Sequence, residues 1–158
     1  MIINLITLNS VLYTICHMTE KKREAYNYIF AGKAIFTVVS NKINQRYTYK
    51  ITQTKSNKDN YTVKVLYGSD NTEDYKHIGI LNRRLLSLES YCIDSSQTKL
   101  LTAFIHMLLN PEMEWPKTCE FHKSDKCAAC GRLLTTPESI KSGYGPRCYE
   151  ARFGLKGE

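Results

Sequence analysis

The C-terminal part of the chain carries a set of closely spaced cysteines, and this set constrains the fold more than any other feature. From Cys119 to Cys148 the spacing is C-x2-H-x4-C-x2-C-x17-C, which contains five possible metal ligands. Two thiolates separated by two residues can turn back onto one metal ion, and a following glycine relieves the strain of the tight turn. Cys127 and Cys130, followed by Gly131, therefore predict a zinc knuckle.

Cys148 lies where a short C-terminal helix is expected to begin. Pro146 stands at a favoured first helical position, and Gly154 stands just past the expected end of the helix. The helix dipole and the free N–H groups of the first turn favour a thiolate there. A knuckle followed by a cysteine at a helix N-terminus is typical of treble-clef-like zinc modules. The intervening segment TTPESIKSG predicts one more capped helical turn.

A structural zinc site needs a fourth ligand, and the sequence offers two candidates. His122 is nearer to the knuckle, can reach it through a short hairpin, and gives a Cys3His site. Cys119 would give four thiolates instead and stays open as the alternative. We expect structural Zn2+ bound by His122, Cys127, Cys130 and Cys148.

The familiar signatures of zinc enzymes and of phosphate loops do not occur in the sequence. A zinc deaminase needs H-x-E and P-C-x-x-C, but Lys126 precedes Cys127 and Ser124 follows His122 at the second position. Neither H-E-x-x-H nor G-x-x-x-x-G-K-[ST] is found. We therefore expect no catalytic residues and no enzymatic activity.

The N-terminal segment is apolar but does not have the pattern of a signal peptide or a membrane span. MIINLITLNSVLYTICH has no basic start and no A-x-A-like cleavage site, and asparagines and a serine interrupt it. We expect residues 1–17 to be an extension and Met18 to be the natural start. The compartment is then reducing and cytoplasmic, where clustered thiols hold zinc rather than form disulfides.

The middle of the chain has the alternation of a β-sheet protein with one main helix. Short polar turns separate four strand-like runs, which predicts an antiparallel meander. A short helix is expected over 20–29, and a longer one over 95–111 should pack an apolar face on the sheet. The four predicted strands are KAIFTVVS at 33–40, QRYTYKIT at 45–52, YTVKVLYG at 61–68 and YKHIGIL at 75–81.

These elements predict an α+β fold in which a small antiparallel β-meander with one packed helix precedes a treble-clef-like zinc module. The α+β sheet domain covers 18–111. The two prolines of PEMEWPK, Pro111 and Pro116, indicate a linker over 112–118. The zinc-binding module covers 119–158.

The net charge of +7 is unevenly distributed, since residues 20–60 alone contribute nine Lys and Arg against three Asp and Glu. Such an excess fits nucleic acid or another polyanion, and it also fits an ordinary solvated surface. Tyrosines interleaved with these basic residues could stack on bases, although in a sheet they more often pack the core. The candidate nucleic-acid contacts are Arg46, Lys50 and Lys64 on the sheet and Arg132, Lys141, Arg147 and Arg152 in the zinc module.

The tail resembles an uncharacterised zinc-binding domain family of bacteriophage and bacterial proteins with the pattern H…C-x-x-C-G-R-x-L-T-x-P-x-S-x-x-x-G-x-G-P-x-C. The β-rich middle resembles, more loosely, the region that often precedes this tail in phage-encoded proteins. The resemblance implies His122 as the fourth ligand, a phage or mobile-element origin and hence the host cytoplasm, but no activity. The matching positions are His122, Cys127, Cys130, Gly131, Arg132, Leu134, Thr135, Pro137, Ser139, Gly143, Gly145, Pro146 and Cys148.

The function expected from these observations is that of a non-enzymatic phage or mobile-element accessory protein that binds nucleic acid. The alternative is a protein-interaction module or inhibitor that binds a host or defence protein. A zinc-dependent enzyme is the third hypothesis. No membrane partner is expected, and the sequence leaves open whether DNA or RNA is bound and which oligomer forms.

Overall fold

A computed structural model of the chain describes residues 17–70, 72–84, 87–91 and 94–154. The predicted extension over 1–17 therefore lies almost wholly outside the described residues. Six strands and four helices are found in the described ranges, and they confirm the α+β class. In chain order they are α1 (Glu20–Ile29), β1 (Lys33–Ser40), β2 (Gln45–Gln53), β3 (Asn60–Leu66), β4 (Tyr75–Asn82), β5 (Ser87–Ser90), α2 (Ser96–Leu109), β6 (Cys119–Lys123), α3 (Pro137–Ser142) and α4 (Pro146–Phe153).

The six strands form one antiparallel sheet in the order β5-β4-β3-β2-β1-β6. The first four strands make the meander that their alternation predicts. Strands β5 and β6 were not expected. Strand β6 pairs with β1 at the sheet edge, so Cys119–Lys123 belongs to the sheet although the sequence assigned it to the zinc module. The division into domains stays a prediction.

One face of the sheet packs against the helices and forms the core. Alternate residues of each strand point to this face, and Val38, Tyr49, Ile51 and Val63 are fully buried there. The residues between them, on the outer face, are half-buried or exposed. This period of two is what a sheet with one covered face requires.

Helix α2 begins and ends where the sequence predicts. The Ser95 hydroxyl accepts a hydrogen bond from the Thr98 N–H at 3.2 Å, and Asn110 ends the helix before Pro111. The buried residues of α2 recur at helical spacing and pack against the sheet.

An aromatic cluster connects α2, the segment after it and β6. The rings of Phe104 and Phe121 stack with centroids 5.5 Å apart, and the Trp115 ring lies edge-on to Phe104 at 5.5 Å. The Trp115 indole N–H donates a hydrogen bond to the Cys119 carbonyl at 2.9 Å. The predicted linker over 112–118 is thus fixed against the core, and it directs β6 into the sheet.

Lys22 provides a second attachment for the same segment. Its side chain is only 3% exposed, and its ammonium donates hydrogen bonds to the carbonyls of Asn110 (2.9 Å) and Met113. A buried ammonium is tolerated because these carbonyls replace its water.

No helix of the described residues is long and apolar enough to cross a membrane.

Truncating Phe104 should destabilise the fold strongly. Phe104 is 3% exposed and contacts both aromatic partners, so Phe104→Ala should lower the free energy of unfolding by about 3–5 kcal/mol. Urea denaturation measures this loss. Ile43→Ala is the control, because Ile43 is 54% exposed and should change stability by less than about 0.5 kcal/mol. Equal losses in the two variants would contradict the described core.

Candidate metal centre

The predicted knuckle is present as a tight turn between two extended segments. The Cys127 N–H donates to the Arg132 carbonyl and the Gly131 N–H donates to the Cys127 carbonyl, both at 2.8 Å. Gly131 has φ +79°, a left-handed conformation that favours glycine. A β-bridge between Lys126 and Leu133 closes the turn. The backbone alone therefore holds the knuckle in shape.

Helices α3 and α4 bring the third cysteine back to the knuckle. The Thr136 hydroxyl caps α3 by accepting from the Ser139 N–H at 3.3 Å, and Gly143 ends this helix with φ +83°. Helix α4 then starts at Pro146 and carries Cys148 in its first turn. These caps and ends are the ones that the sequence predicts.

The three cysteines meet at one point. The Sγ atoms of Cys127, Cys130 and Cys148 all lie within 4.8 Å of one another, and together they could hold a metal ion. Cys127 is buried, Cys148 is half-buried and Cys130 is exposed. Thiolates suit soft or borderline ions such as Zn2+ or Cu+.

The thiols of Cys127 and Cys148 differ in pKa. Burial acts to raise the pKa of the Cys127 thiol, but hydrogen bonds from the N–H groups of Gly145, Cys130 and Ala129 and from the Cys130 side chain lower it to about 7. The Gly145 nitrogen lies 3.4 Å from the Cys127 sulfur. Burial, followed by hydrogen bonds to the other two thiols, raises the pKa of Cys148 to about 11. A metal ion that binds all three must therefore displace protons.

The structure places His122 apart from the three cysteines. His122 lies on β6 opposite Thr37, its side chain is 56% exposed, and its Nε2 is 4.0 Å from Glu120 Oε1. After β6 the chain continues beside β1, since the Ser124 N–H donates to the Ile35 carbonyl at 3.0 Å. The group of ligand atoms within 4.8 Å of one another consists, among the described residues, of the three cysteines, and the role of His122 as fourth ligand stays a prediction.

Cys119, the alternative fourth ligand, is also outside the cluster. It is the first residue of β6 and lies opposite Ser40, three residues before His122 and therefore at the other end of the strand from the knuckle. Burial, more than any nearby charge, raises the pKa of its thiol. Among the His, Cys, Asp and Glu side chains of the described ranges, the group at the knuckle consists of the three cysteines.

The knuckle docks on the junction between α1 and β1. The Lys33 N–H donates to the Ala128 carbonyl at 2.6 Å, and the Ala128 N–H donates to the Gly143 carbonyl at 2.9 Å. A Cβ on Gly143 would lie 2.5 Å from Tyr28 Cε2, so only glycine fits between α3 and α1. Cys127 and Ala128 are fully buried and belong to the same core as the sheet.

Two side chains that support this arrangement were missed by the sequence analysis. The Tyr144 hydroxyl donates to the Asn27 carbonyl at 3.2 Å, and its ring packs edge-on to Tyr28. The Lys123 ammonium donates to the Ser142 carbonyl at 3.2 Å at the end of α3. An aromatic residue between two glycines, as in GYGP, was the available signal for Tyr144.

The basic residues predicted on the sheet lie on its outer face. Lys50 stands directly opposite Lys64, and Lys64 stands opposite His77 on the next strand. Arg46 is the second residue of β2, four residues before Lys50, and it is exposed. The interleaved Tyr49 is fully buried on the other face, so it packs the core and is not a stacking platform.

The basic residues of the tail are dispersed over its surface. Arg132, Lys141 and Arg147 are exposed, at the knuckle, at the end of α3 and at the start of α4. Arg152 reaches back toward α1, where its Nη2 donates to the Phe30 carbonyl at 3.4 Å.

Residues 122–153 match the model of a family of unknown function (DUF6011). The matched range begins at His122 and contains all three clustered cysteines together with α3 and α4. No curated protein and no solved structure matches the chain.

Removing Cys130 should abolish metal binding at the knuckle. Cys130→Ser should lose the ion that the wild-type chain binds, because only two thiolates of the cluster remain. Elemental analysis of protein purified under reducing conditions measures the ion, and amide hydrogen exchange over 137–153 should show lower protection. Cys119→Ser removes a thiol outside the cluster and should keep the ion. An ion retained at full occupancy in Cys130→Ser would contradict the assignment.

Proposed function

We propose that this chain is a non-enzymatic nucleic-acid-binding protein whose C-terminal module is stabilised by structural Zn2+. The observation that carries the nucleic-acid part is a row of cationic side chains on the outer face of the sheet. The cysteine cluster carries the zinc part.

Zinc suits the cluster in donor type and in spacing. Tetrahedral Zn2+ with Zn–S distances of about 2.3 Å places the sulfurs about 3.8 Å apart. The three Sγ atoms already lie within 4.8 Å of one another, so a small contraction closes them on the ion. A buried Cys127 and a backbone-held turn favour a structural role.

His122 is the proposed fourth ligand. The family match begins at this residue, and a Cys3His set is common in structural sites. To reach the cysteines, the end of β6 would have to leave its pairing with β1 between His122 and Ser124. Full coordination would leave no position for a substrate, which supports a non-catalytic ion.

The two opposed lysines of the row lie on neighbouring strands. Lys50 on β2 is the partner of Lys64 on β3, and adjacent strands are about 4.8 Å apart. His77 on β4 is the next partner of Lys64. Like charges directly opposite each other destabilise a sheet. A polyanionic backbone lying across the row would neutralise Lys50 and Lys64 together. The relief of the repulsion between the two lysines would then contribute to the binding free energy.

The charges of this face are not neutralised within the described chain. None of Arg46, Lys50 and Lys64 forms an ion pair with a carboxylate of the described residues. Lys50 lies 5.4 Å above the Tyr75 ring, a contact that keeps its charge. Short hydroxyl side chains lie between the basic residues, and Thr37 and Thr48 share a hydrogen bond of 2.7 Å. Phosphates can therefore approach the sheet closely.

A protein partner is the second candidate, and apolar residues on the same face favour it. Ile35, Val39, Leu66 and Ile80 are half-buried there, with the opposite side chains of these strands in the core. The resemblance of the tail to phage and bacterial zinc domains supports an accessory protein of a phage or mobile element. Its place would then be the host cytoplasm.

Neutralising the opposed lysines should weaken nucleic-acid binding. The double variant Lys50→Gln, Lys64→Gln should bind single-stranded oligonucleotides less tightly, and its salt slope should fall by about 1.4, or about 0.7 for each lost phosphate contact. Fluorescence anisotropy over a series of salt concentrations measures both effects.

The matched control is the double variant Lys55→Gln, Lys58→Gln, which removes the same charge from the exposed turn between β2 and β3. It should keep most of the affinity. Absence of binding to single- and double-stranded DNA and RNA at low salt would refute the nucleic-acid function. A lysate protein that stays bound after nuclease treatment would favour the protein partner.

Replacing His122 tests the fourth ligand. His122→Ala should weaken zinc binding by at least about tenfold, since one of four ligands is lost. Competition with a chromogenic chelator measures the affinity. His106→Ala changes an exposed histidine on α2 and should have no effect. Unchanged affinity in His122→Ala would exclude this residue from the zinc site.

A further inference from the structure

Two arginines from distant parts of the chain border one pocket on the helix side of the sheet. Arg83 follows β4, and Arg152 lies near the end of α4. The pocket has a volume of about 280 Å³ and is open to solvent. It is lined by Tyr26, Asn27, Phe30, Arg83, Arg152 and Phe153.

Neutral groups hold the Arg83 side chain in place. Its backbone N–H donates to the Asp59 carbonyl at 2.8 Å. Burial acts to lower the pKa of its guanidinium, but the nearby hydroxyls of Tyr26 and Tyr61 raise it. The Tyr61 hydroxyl in turn donates to the Phe30 carbonyl at 3.1 Å. The guanidinium is thus oriented without its charge being neutralised.

Neutral groups also hold Arg152, which shares the Phe30 carbonyl with the Tyr61 hydroxyl. Its Nη2 donates to the Phe30 carbonyl at 3.4 Å, and its guanidinium lies 5.9 Å from the centre of the Tyr144 ring. Burial raises the pKa of the Tyr61 hydroxyl, and the nearby charges of Arg83 and Arg152 both oppose that shift. Both arginines also border the same pocket.

Among the residues that the structure describes, no carboxylate lines this pocket. The acidic side chain next to it in the fold, Asp59, forms its ion pair with Arg84 at 3.3 Å. A guanidinium carries five N–H donors in a planar fork that matches phosphate oxygens. Each arginine therefore has donors left over after its protein contacts. With no carboxylate among the described lining residues, the two like charges at this pocket favour a bound anion.

The aromatic lining suits a ligand larger than the anion alone. Phe153 is 40% exposed, and its ring lies 4.7 Å from that of Tyr149. Tyr26 and Phe30 also line the pocket but are only 2% and 4% exposed, so Phe153 is the aromatic ring most accessible to a ligand there. An exposed aromatic ring beside a pair of arginines is a surrounding in which a base stacks next to its phosphate.

We infer that this pocket binds a phosphate group, with Arg83 and Arg152 as the two ligating side chains. The phosphate is either a free ion or the terminal phosphate of a nucleotide or oligonucleotide, since these sources share the same oxyanion. The site lies on the helix side, opposite the outer face that carries Lys50 and Lys64. It does not depend on the function proposed for that face.

The test is a titration of the full chain with inorganic phosphate, followed through the arginine Nε–H signals in NMR spectra. The signals of Arg83 and Arg152 should shift and saturate. Arg83→Gln and Arg152→Gln should each weaken binding by about tenfold or more. Arg83→Lys keeps the charge but loses the fork, and should weaken binding less. The amide spectrum of each variant reports whether it is folded.

The matched control is Arg84→Gln, which removes the same charge from the neighbouring residue, already paired with Asp59. It should leave the phosphate affinity unchanged. Equal weakening by Arg84→Gln and Arg83→Gln would overturn the proposal, because only net charge would then matter. Failure of phosphate and of phosphorylated oligonucleotide to saturate the wild-type site would also overturn it.

A pair of short oligonucleotides of one sequence, with and without a 5′-phosphate, separates the two sources. Measured in the Lys50→Gln, Lys64→Gln background, tighter binding of the phosphorylated strand that is lost with Arg83→Gln assigns the pocket to nucleotide ends. Saturation by inorganic phosphate without such a preference assigns it to the free ion. Phosphate binding should be the same with and without the two lysine changes, so failure of either proposal is recognised separately.

Discussion

The hydrogen bonds of the Ala128 peptide join the candidate metal centre to the rest of the molecule. Its carbonyl accepts from the first residue of β1, and its N–H donates to the residue that ends α3. At this point Gly143 packs so close to Tyr28 that a Cβ would lie 2.5 Å from the Cε2 atom of the ring. The sheet, the knuckle and both short helices consequently share one core. A structural change at the cysteine cluster would therefore alter the packing of α1 and β1.

The position of β6 at the sheet edge is set by the segment that precedes it. Because Trp115 and Lys22 fix the chain after α2, this segment enters the sheet beside β1 and leaves it next to the start of that strand. The knuckle forms there, at the end of β1 where α1 arrives. Strand β6 thus protects one edge of the sheet and at the same time positions the cysteines.

Features that depend on neighbouring residues could be predicted from the sequence. The alternation of β1 to β4, the Ser95 cap, the Cys127–Cys130 turn and the delivery of Cys148 by α3 and α4 are all local patterns. Strand β6 could not be predicted, because CEFHK is short, half charged or polar, and acquires its structure by pairing with a strand far away in the chain. The position of His122 and the convergence of Arg83 with Arg152 depend on such distant pairings in the same way.

Helix α4 carries Cys148 of the cluster in its first turn and, about one turn later, Arg152 of the pocket proposed to bind phosphate. An ion at the cluster and an anion in the pocket would therefore both be bound by this one helix. If the ion stabilised α4, the anion would bind to a helix that is already ordered, and the anion would favour the ion to the same extent. On this account the metal centre sets how readily the opposite end of its own helix receives a negative charge.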